Sequence, residues 1–184
     1  FNSISVDSDT STSDTLMLFS NPLNKIELNN KNYNKISKTL NKVMKELSFK
    51  IISDGEGVKK LIKVNVKKAK SKSQAKNIAF SVSNSPLVKT AIAGEDANWG
   101  RVVMAIGKTK EKILQNKITI KFGNLLLAKN GERNSKVNLS KIDNYMKKSL
   151  IEIEINLNLG NESSVVYGND LNKEYIKINA DYRS

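Results

Sequence analysis

Ile151-Glu152-Ile153-Glu154-Ile155-Asn156-Leu157 alternates apolar and polar side chains without a break. A period of two places every second side chain on one face, so this stretch reads as a β-strand with one buried face. Upstream, Ile62, Val64 and Val66 alternate with Lys63, Asn65 and Lys67 in the same way. Two strands of this kind bracket a helix-rich middle. Ala75, Ile78, Ala79 and Val82 recur at helical spacing over Ser73–Val82. Ser85-Pro86 marks a new helix start, because proline suits the first turn. That helix runs through Leu87, Val88 and Ala91 toward Gly94, and Val102 to Ile106 resumes as helix after a turn at Ala97-Asn98-Trp99-Gly100.

Ile118-Ile120 and Leu125-Leu127 read as strands joined by a hairpin turn at Gly123-Asn124. A short helix is expected over Asn138–Met146. Val165-Val166 and Tyr175 to Ile178 read as closing strands. From residue 61 onward the order is strand, helices, two strands, helix, strand and further strands, which predicts an α/β domain of split βαβ type. Nearer the start, Tyr33, Ile36, Leu40, Val43, Leu47 and Ile51 recur at spacings of three and four, predicting an amphipathic helix over residues 33–52. Residues 1–20 read as a strand containing Ile4 and Val6, a polar loop, and a second short strand over Leu16–Phe19.

Composition narrows the chemistry. The 184 residues contain no Cys and no His. That excludes disulfides, thiolate nucleophiles, histidine bases and the usual zinc ligand sets, and no metal is expected. No apolar run approaches the ~20 residues of a membrane span, and no basic segment followed by an apolar run marks a signal peptide. Cytoplasmic residence is expected. The formal charge is +13, from 31 basic and 18 acidic residues. The basic residues are almost all Lys, spread along the chain, and aromatics are 6%. Nucleic-acid readers rely on arginine forks and stacking aromatics, so the excess is read as solvated surface. A basic nucleic-acid-binding module stays as an alternative.

Asp54-Gly55-Glu56-Gly57 is the most suggestive local motif. A carboxylate flanked by two glycines can be held clear of its own turn and offered to an ammonium group through charge-assisted hydrogen bonds. The same letters also describe a plain helix-ending turn with solvated acids. Residues 7–15 carry three Asp and several hydroxyls, but lack the spacing of a calcium loop. Trp99, the single tryptophan, reads as a core anchor.

Five runs, taken in order, resemble the ornithine acetyltransferases, also called glutamate N-acetyltransferases. They are the acidic, threonine-rich Val6–Thr15 loop, Asp54-Gly55-Glu56-Gly57, Asn84–Ala91, Asn98-Trp99-Gly100-Arg101, and the tail Tyr175–Ser184. The resemblance spans the chain and implies the layered α/β sandwich shared with self-cleaving aminopeptidases, with a smaller C-terminal α/β domain. On that reading residues 1–60 are part of the catalytic sandwich, and 61–184 form the C-terminal domain with a substrate-binding tail. It implies transfer of acetyl from N-acetylornithine to glutamate, with acetyl-CoA as a possible co-substrate and no other cofactor. The family's nucleophile is a Thr freed by self-cleavage at the start of its β chain. That Thr is expected upstream of Phe1, so no catalytic residue is assigned here. An α chain partner, an α2β2 heterotetramer and small-molecule substrates are implied, without nucleic acid or membrane. A related self-cleaving amidase or aminopeptidase is the remaining alternative.

By position, Glu56 and Asn179 match the family's substrate-binding residues, and Ser184 stands where a terminal Thr is usual. Other departures are Ser8 where Gly is usual, Lys59 where Thr is usual, and Tyr167 and Asn169 in place of a Trp and a Cys or Ser. Lys59 would bring a cation near a site meant to bind one.

Overall fold

A computed structural model describes residues 1–23 and 25–182. After an extended run comes helix α1 (Asn30–Ser53), followed by β1 (Leu61–Ala69), α2 (Lys72–Ser83), α3 (Pro86–Ala93) and α4 (Trp99–Gly107). Then come β2 (Thr119–Phe122), β3 (Leu125–Lys129), β4 (Glu132–Arg133), α5 (Leu139–Met146), β5 (Leu150–Asn156), β6 (Glu162–Asn169) and α6 (Lys173–Asp181). The strands form one sheet in the order β4-β3-β2-β5-β1-β6.

The two alternating stretches are its centre. β1 and β5 are parallel neighbours, with Ile62 opposite Ile151 and Val64 opposite Ile153. β2 and β6 flank them in antiparallel pairing. The sheet is therefore not the split βαβ expected, which would place an antiparallel strand between the parallel partners. Here the whole helical stretch and the hairpin are accommodated within one long crossover, and β5 docks directly on β1.

Period-two patterning decides where the core lies. Ile62, Val64, Val66, Ile120, Phe122, Ile151, Ile153 and Ile155 are all buried on one face. Ala75, Ile78, Ala79 and Val82 of α2, Val88 and Ile92 of α3, and Val102, Ala105 and Ile106 of α4 cover it. Ile142 and Met146 of α5 join the same cluster, and Trp99 packs at its margin as an anchor. Burying one such Ile or Val contributes about 1.5–3 kcal/mol, so this layer dominates the fold's stability. Asn29, Ser71, Asn98 and Asn138 cap their helices by accepting backbone N–H groups, while α3 lacks a side-chain cap and is opened by Pro86. In the β2–β3 hairpin Gly123 has φ +56°, and a Cβ there would stand 2.6 Å from the Tyr145 ring.

The opposite face is polar. Lys63 pairs with Glu152 at 3.0 Å, Lys67 with Glu154 at 2.6 Å, and Lys121 with Glu154 at 3.4 Å. Tyr167 of β6 faces this side, and Phe49 of α1 meets it edge-on, with ring centroids 4.6 Å apart.

Three expectations need correction. Leu16–Phe19 forms no strand: it is extended, without ladder partners among the described residues, and Phe19 is 84% exposed. Ile4 makes only a single bridge, to Tyr167, because no neighbouring strand continues the pairing. Tyr175–Ile178 is helical, within α6. Asn172 caps that helix by accepting from the N–H groups of Glu174 and Tyr175, and a period of three to four overrides the short alternation. Helix α1 forms as expected, yet its apolar stripe is largely uncovered among the described residues: Tyr33, Ile36, Val43, Leu47 and Ile51 are all exposed, while Ser48 and Ile52 are buried.

Candidate functional site

Helix α1 ends at Ser53, where the N–H of Asp54 closes on the carbonyls of Lys50 and Ile51. A tight turn follows. The N–H of Val58 donates to the carbonyl of Gly55 at 3.1 Å, leaving Glu56 and Gly57 as its central residues. Gly57 has φ +67°, the left-handed conformation that a turn of this hand requires at its second central residue. Glu56 therefore sits exposed at the tip, its side chain clear of the backbone.

The tail comes back to meet it. Asn179, on α6, donates from Nδ2 to Glu56 Oε2 at 2.5 Å and to the Tyr175 carbonyl at 3.0 Å. Two residues 123 positions apart are thus in direct contact. Among the described residues Glu56 Oε1 accepts no hydrogen bond, so one carboxylate oxygen remains open. Ser184, the third residue assigned to the site, lies outside the described residues. Lys59 is exposed and makes no ion pair with Glu56 among the described residues; its backbone N–H is held by Asp170 Oδ1 at 3.0 Å.

Side chains to which no role was assigned from the sequence build the platform beneath this pair. Asp170, 4% exposed, accepts from the N–H groups of Lys59 and Lys60 at 3.0 Å each. Asn172 donates to the Gly57 carbonyl at 2.6 Å and to Asp170 Oδ2 at 3.1 Å, while its Oδ1 caps α6. The Tyr175 hydroxyl donates to Asp7 Oδ2 at 3.0 Å. Burial and that carboxylate hold the phenol above its usual range. Lys89 of α3 is buried at 3% exposure, and its ammonium donates to Val6 O (2.6 Å), Asn169 O (2.6 Å) and Asn169 Oδ1 (2.9 Å). Burial pushes this lysine down to about 8, against the attraction of Asp170 and Asp7. Asn169 Nδ2 in turn donates to Ile52 O at 3.1 Å.

The sequence signal for these residues was faint. Lys89 is a lone cation inside Leu87-Val88-Lys89-Thr90-Ala91-Ile92, a run otherwise suited to burial. The Val6–Thr15 loop contributes through Val6 and Asp7; Ser8 to Asp14 are exposed, and Ser8 itself has φ +82°, a conformation suited to the glycine usual at that position. No group of three or more acidic side chains converges on a metal position among the described residues, and none of their helices is long and apolar enough to cross a membrane.

Among the described residues the arrangement is a carboxylate presented on a hydrogen-bonded turn, oriented by an amide from the tail, and open on one oxygen. Such a unit can bind and orient a cationic group; among the described residues no nucleophile–base pair accompanies it at Glu56 and Asn179.

Comparisons with known proteins bear on the chain as a whole. The chain is 46% identical over 191 residues to the arginine biosynthesis bifunctional protein ArgJ of Brucella melitensis, covering 100% of this chain and 46% of that protein. It is 48% identical over 188 residues to the protein of the same name from Bartonella henselae, again covering 100% and 46%. The chain spans about half the length of the curated relatives it matches. A crystal structure of the arginine biosynthesis bifunctional protein from Bacillus halodurans superposes with a TM-score of 0.92 at 35% identity, covering 99% of this chain and 87% of that one. That likeness extends to the layered α/β architecture as a whole. With the ArgJ family model matching residues 1–184 throughout, the chain belongs to the ArgJ family.

Proposed function

We propose that this chain is the substrate-gripping β portion of an acetyltransferase that moves acetyl from N-acetylornithine to glutamate. The observation that carries the reading is the 2.5 Å bond from Asn179 to Glu56. It joins two of the residues that the family resemblance marks for substrate, 123 positions apart along the chain. Oε2 is held by Asn179 and Oε1 accepts no hydrogen bond among the described residues, so Oε1 is the oxygen offered to the substrate ammonium; the grip fixes the amine end while the acetyl end extends toward the nucleophile.

In the reaction proposed, a Thr hydroxyl supplied from outside residues 1–184 attacks the acetyl carbonyl. Ornithine leaves with a proton and an acetyl ester remains on the Thr. The amine of glutamate then attacks that ester, releasing N-acetylglutamate and restoring the hydroxyl, in a ping-pong sequence. Residues 1–60 belong to the catalytic sandwich on this reading, and 61–184 to the smaller domain whose tail, Asn179 and Ser184, closes on substrate. An α chain completes the site within an α2β2 assembly in the cytoplasm. Acetyl-CoA is proposed as a second acetyl donor. Neither nucleic acid nor membrane has a part in this reading.

Glu56→Gln in the complete protein is the test. Loss of one charge-assisted hydrogen bond costs about 1.5–3 kcal/mol, so kcat/KM for N-acetylornithine should fall tenfold or more. Unchanged kinetics in a folded variant would remove Glu56 from the site.

A further inference from the structure

We propose that Lys89 is a positioning residue for substrate binding: its buried ammonium ties the Val6 and Asn169 segments together, and through them holds Glu56 and Asn179 in register. This deepens the acetyltransferase reading and rests on it.

A lysine ammonium acts through the bonds it donates. It has three N–H donors and no acceptor, and at Lys89 all three are spent on protein oxygens: Val6 O, Asn169 O and Asn169 Oδ1. Each acceptor belongs to a segment leading to the site. Val6 precedes Asp7, whose carboxylate holds the Tyr175 hydroxyl of α6. Asn169 passes the tie through Nδ2 to Ile52 O, in the last turn of α1 just before the Glu56 turn. Asn169 also precedes Asp170 and Asn172, which hold Lys59, Lys60 and Gly57.

The packing shows how little play this leaves. A Cβ on Gly55 would stand 2.8 Å from Asn169 Nδ2 and 3.3 Å from Val6 Cγ1, so the Glu56 turn rests directly on the groups that Lys89 binds. A buried lysine is costly unless its protons are satisfied, and a packing role alone would be met by an apolar side chain of similar length. What an apolar side chain cannot do is hold three carbonyl-type oxygens, one from Val6 and two from Asn169, at one point. Lys89 touches neither Glu56 nor Asn179, so it acts on substrate only through where it sets them.

The test uses the complete protein. Lys89→Met keeps the length and the burial but removes every donor. Expected is a tenfold or greater rise in KM for N-acetylornithine, with kcat within threefold of wild type and folding intact by circular dichroism. If Lys89 works through the pair, adding Lys89→Met to Asn179→Ala should change KM by less than twofold beyond Asn179→Ala alone. A folded Lys89→Met with wild-type KM overturns the proposal, as does a full tenfold effect on top of Asn179→Ala. Should Lys89→Met fail to fold, Asn169→Ala carries the test, since alanine keeps neither the side-chain acceptor for Lys89 nor the donor to Ile52 O. A threefold or greater rise in KM supports the proposal and an unchanged KM overturns it. Glu56→Gln is measured alongside: if that variant keeps wild-type KM, the acetyltransferase site reading fails whatever Lys89 does, whereas a raised KM there with an unaffected Lys89→Met removes the Lys89 proposal alone.

Discussion

Replacing Gly57 with Ala imposes two separate penalties on the turn that carries Glu56. The first is conformational. Gly57 has φ +67°, where an L side chain costs about 1–2 kcal/mol. The second is steric. A Cβ would stand 2.6 Å from the Tyr175 backbone nitrogen and 3.0 Å from the Glu174 carbonyl carbon. Backbone atoms in the first turn of α6 cannot rotate aside, so the helix itself must retreat, and overpacking of this kind costs about 1–3 kcal/mol. Together these amount to about 2–5 kcal/mol, a large share of the ~5–15 kcal/mol that holds a typical domain folded. A retreat of α6 also lengthens the Asn172–Gly57 bond of 2.6 Å and the Asn179–Glu56 bond of 2.5 Å. Thermal unfolding and steady-state kinetics of the complete protein therefore read both consequences: a lower midpoint and a raised KM for N-acetylornithine. Gly107→Ala is the matched control, because a Cβ there meets nothing within 4 Å and the residue closes a helix. It should leave KM alone and raise stability by about 0.5–1 kcal/mol. If Gly57→Ala melted with the wild type and kept its KM, α6 would not be seated on this turn.

Three further outcomes are expected. Ser8→Gly should stabilise by about 0.5–1 kcal/mol, the left-handed penalty at φ +82° less the entropy glycine loses on folding, and an unchanged or lower melting midpoint would contradict this. Because burial holds Lys89 near 8 in the folded protein, the unfolded chain keeps its proton to higher pH. The cost of burying the charge is thus full below about 8 and is relieved as pH rises toward the ordinary lysine range. Wild type should gain on Lys89→Met by up to about 3 kcal/mol between pH 7 and 10, and a constant difference in denaturation midpoint across that range would refute the assignment. Binding to DNA or RNA should be weak and should vanish as salt rises; submicromolar affinity at physiological salt would revive a nucleic-acid role for the +13 charge.

Much of the architecture was legible because burial is one-sided. Ile62-Val64-Val66 and Ile151-Ile153-Ile155 announce strands since their outward neighbours are charged, and Pro86 announces a helix start through its own ring. Glu56 stood out because two glycines flank it. The tail misled for an equally physical reason: Tyr175, Lys177 and their neighbours alternate over too few residues to separate a period of two from one of 3.6, and the deciding signal was the cap at Asn172. Leu16–Phe19 has strand-like composition, but a strand exists only with a partner, and pairing is not a local property. The platform beneath Glu56 was hidden on the same account. Lys89, Asp170 and Tyr175 acquire their roles from contacts across 80 or more positions, and no window along the chain contains both ends of any of them.

The charged ladder on the open face of the sheet bears on how the chain avoids folding errors. Slipping β1 by two residues against β5 keeps every isoleucine and valine on the core side, where one branched side chain replaces another at little cost. The hydrophobic layer is therefore nearly blind to such a slip. The other face is not: Lys63, opposite Glu152 in the observed register, would meet Leu150 or Glu154 instead, and the combined arrangement that also serves Lys67 and Lys121 would be broken up. Partly exposed pairs like these add only about 0–1 kcal/mol each to stability. Their larger effect is on fidelity, since they separate one alignment from near-equivalents that the core alone would accept.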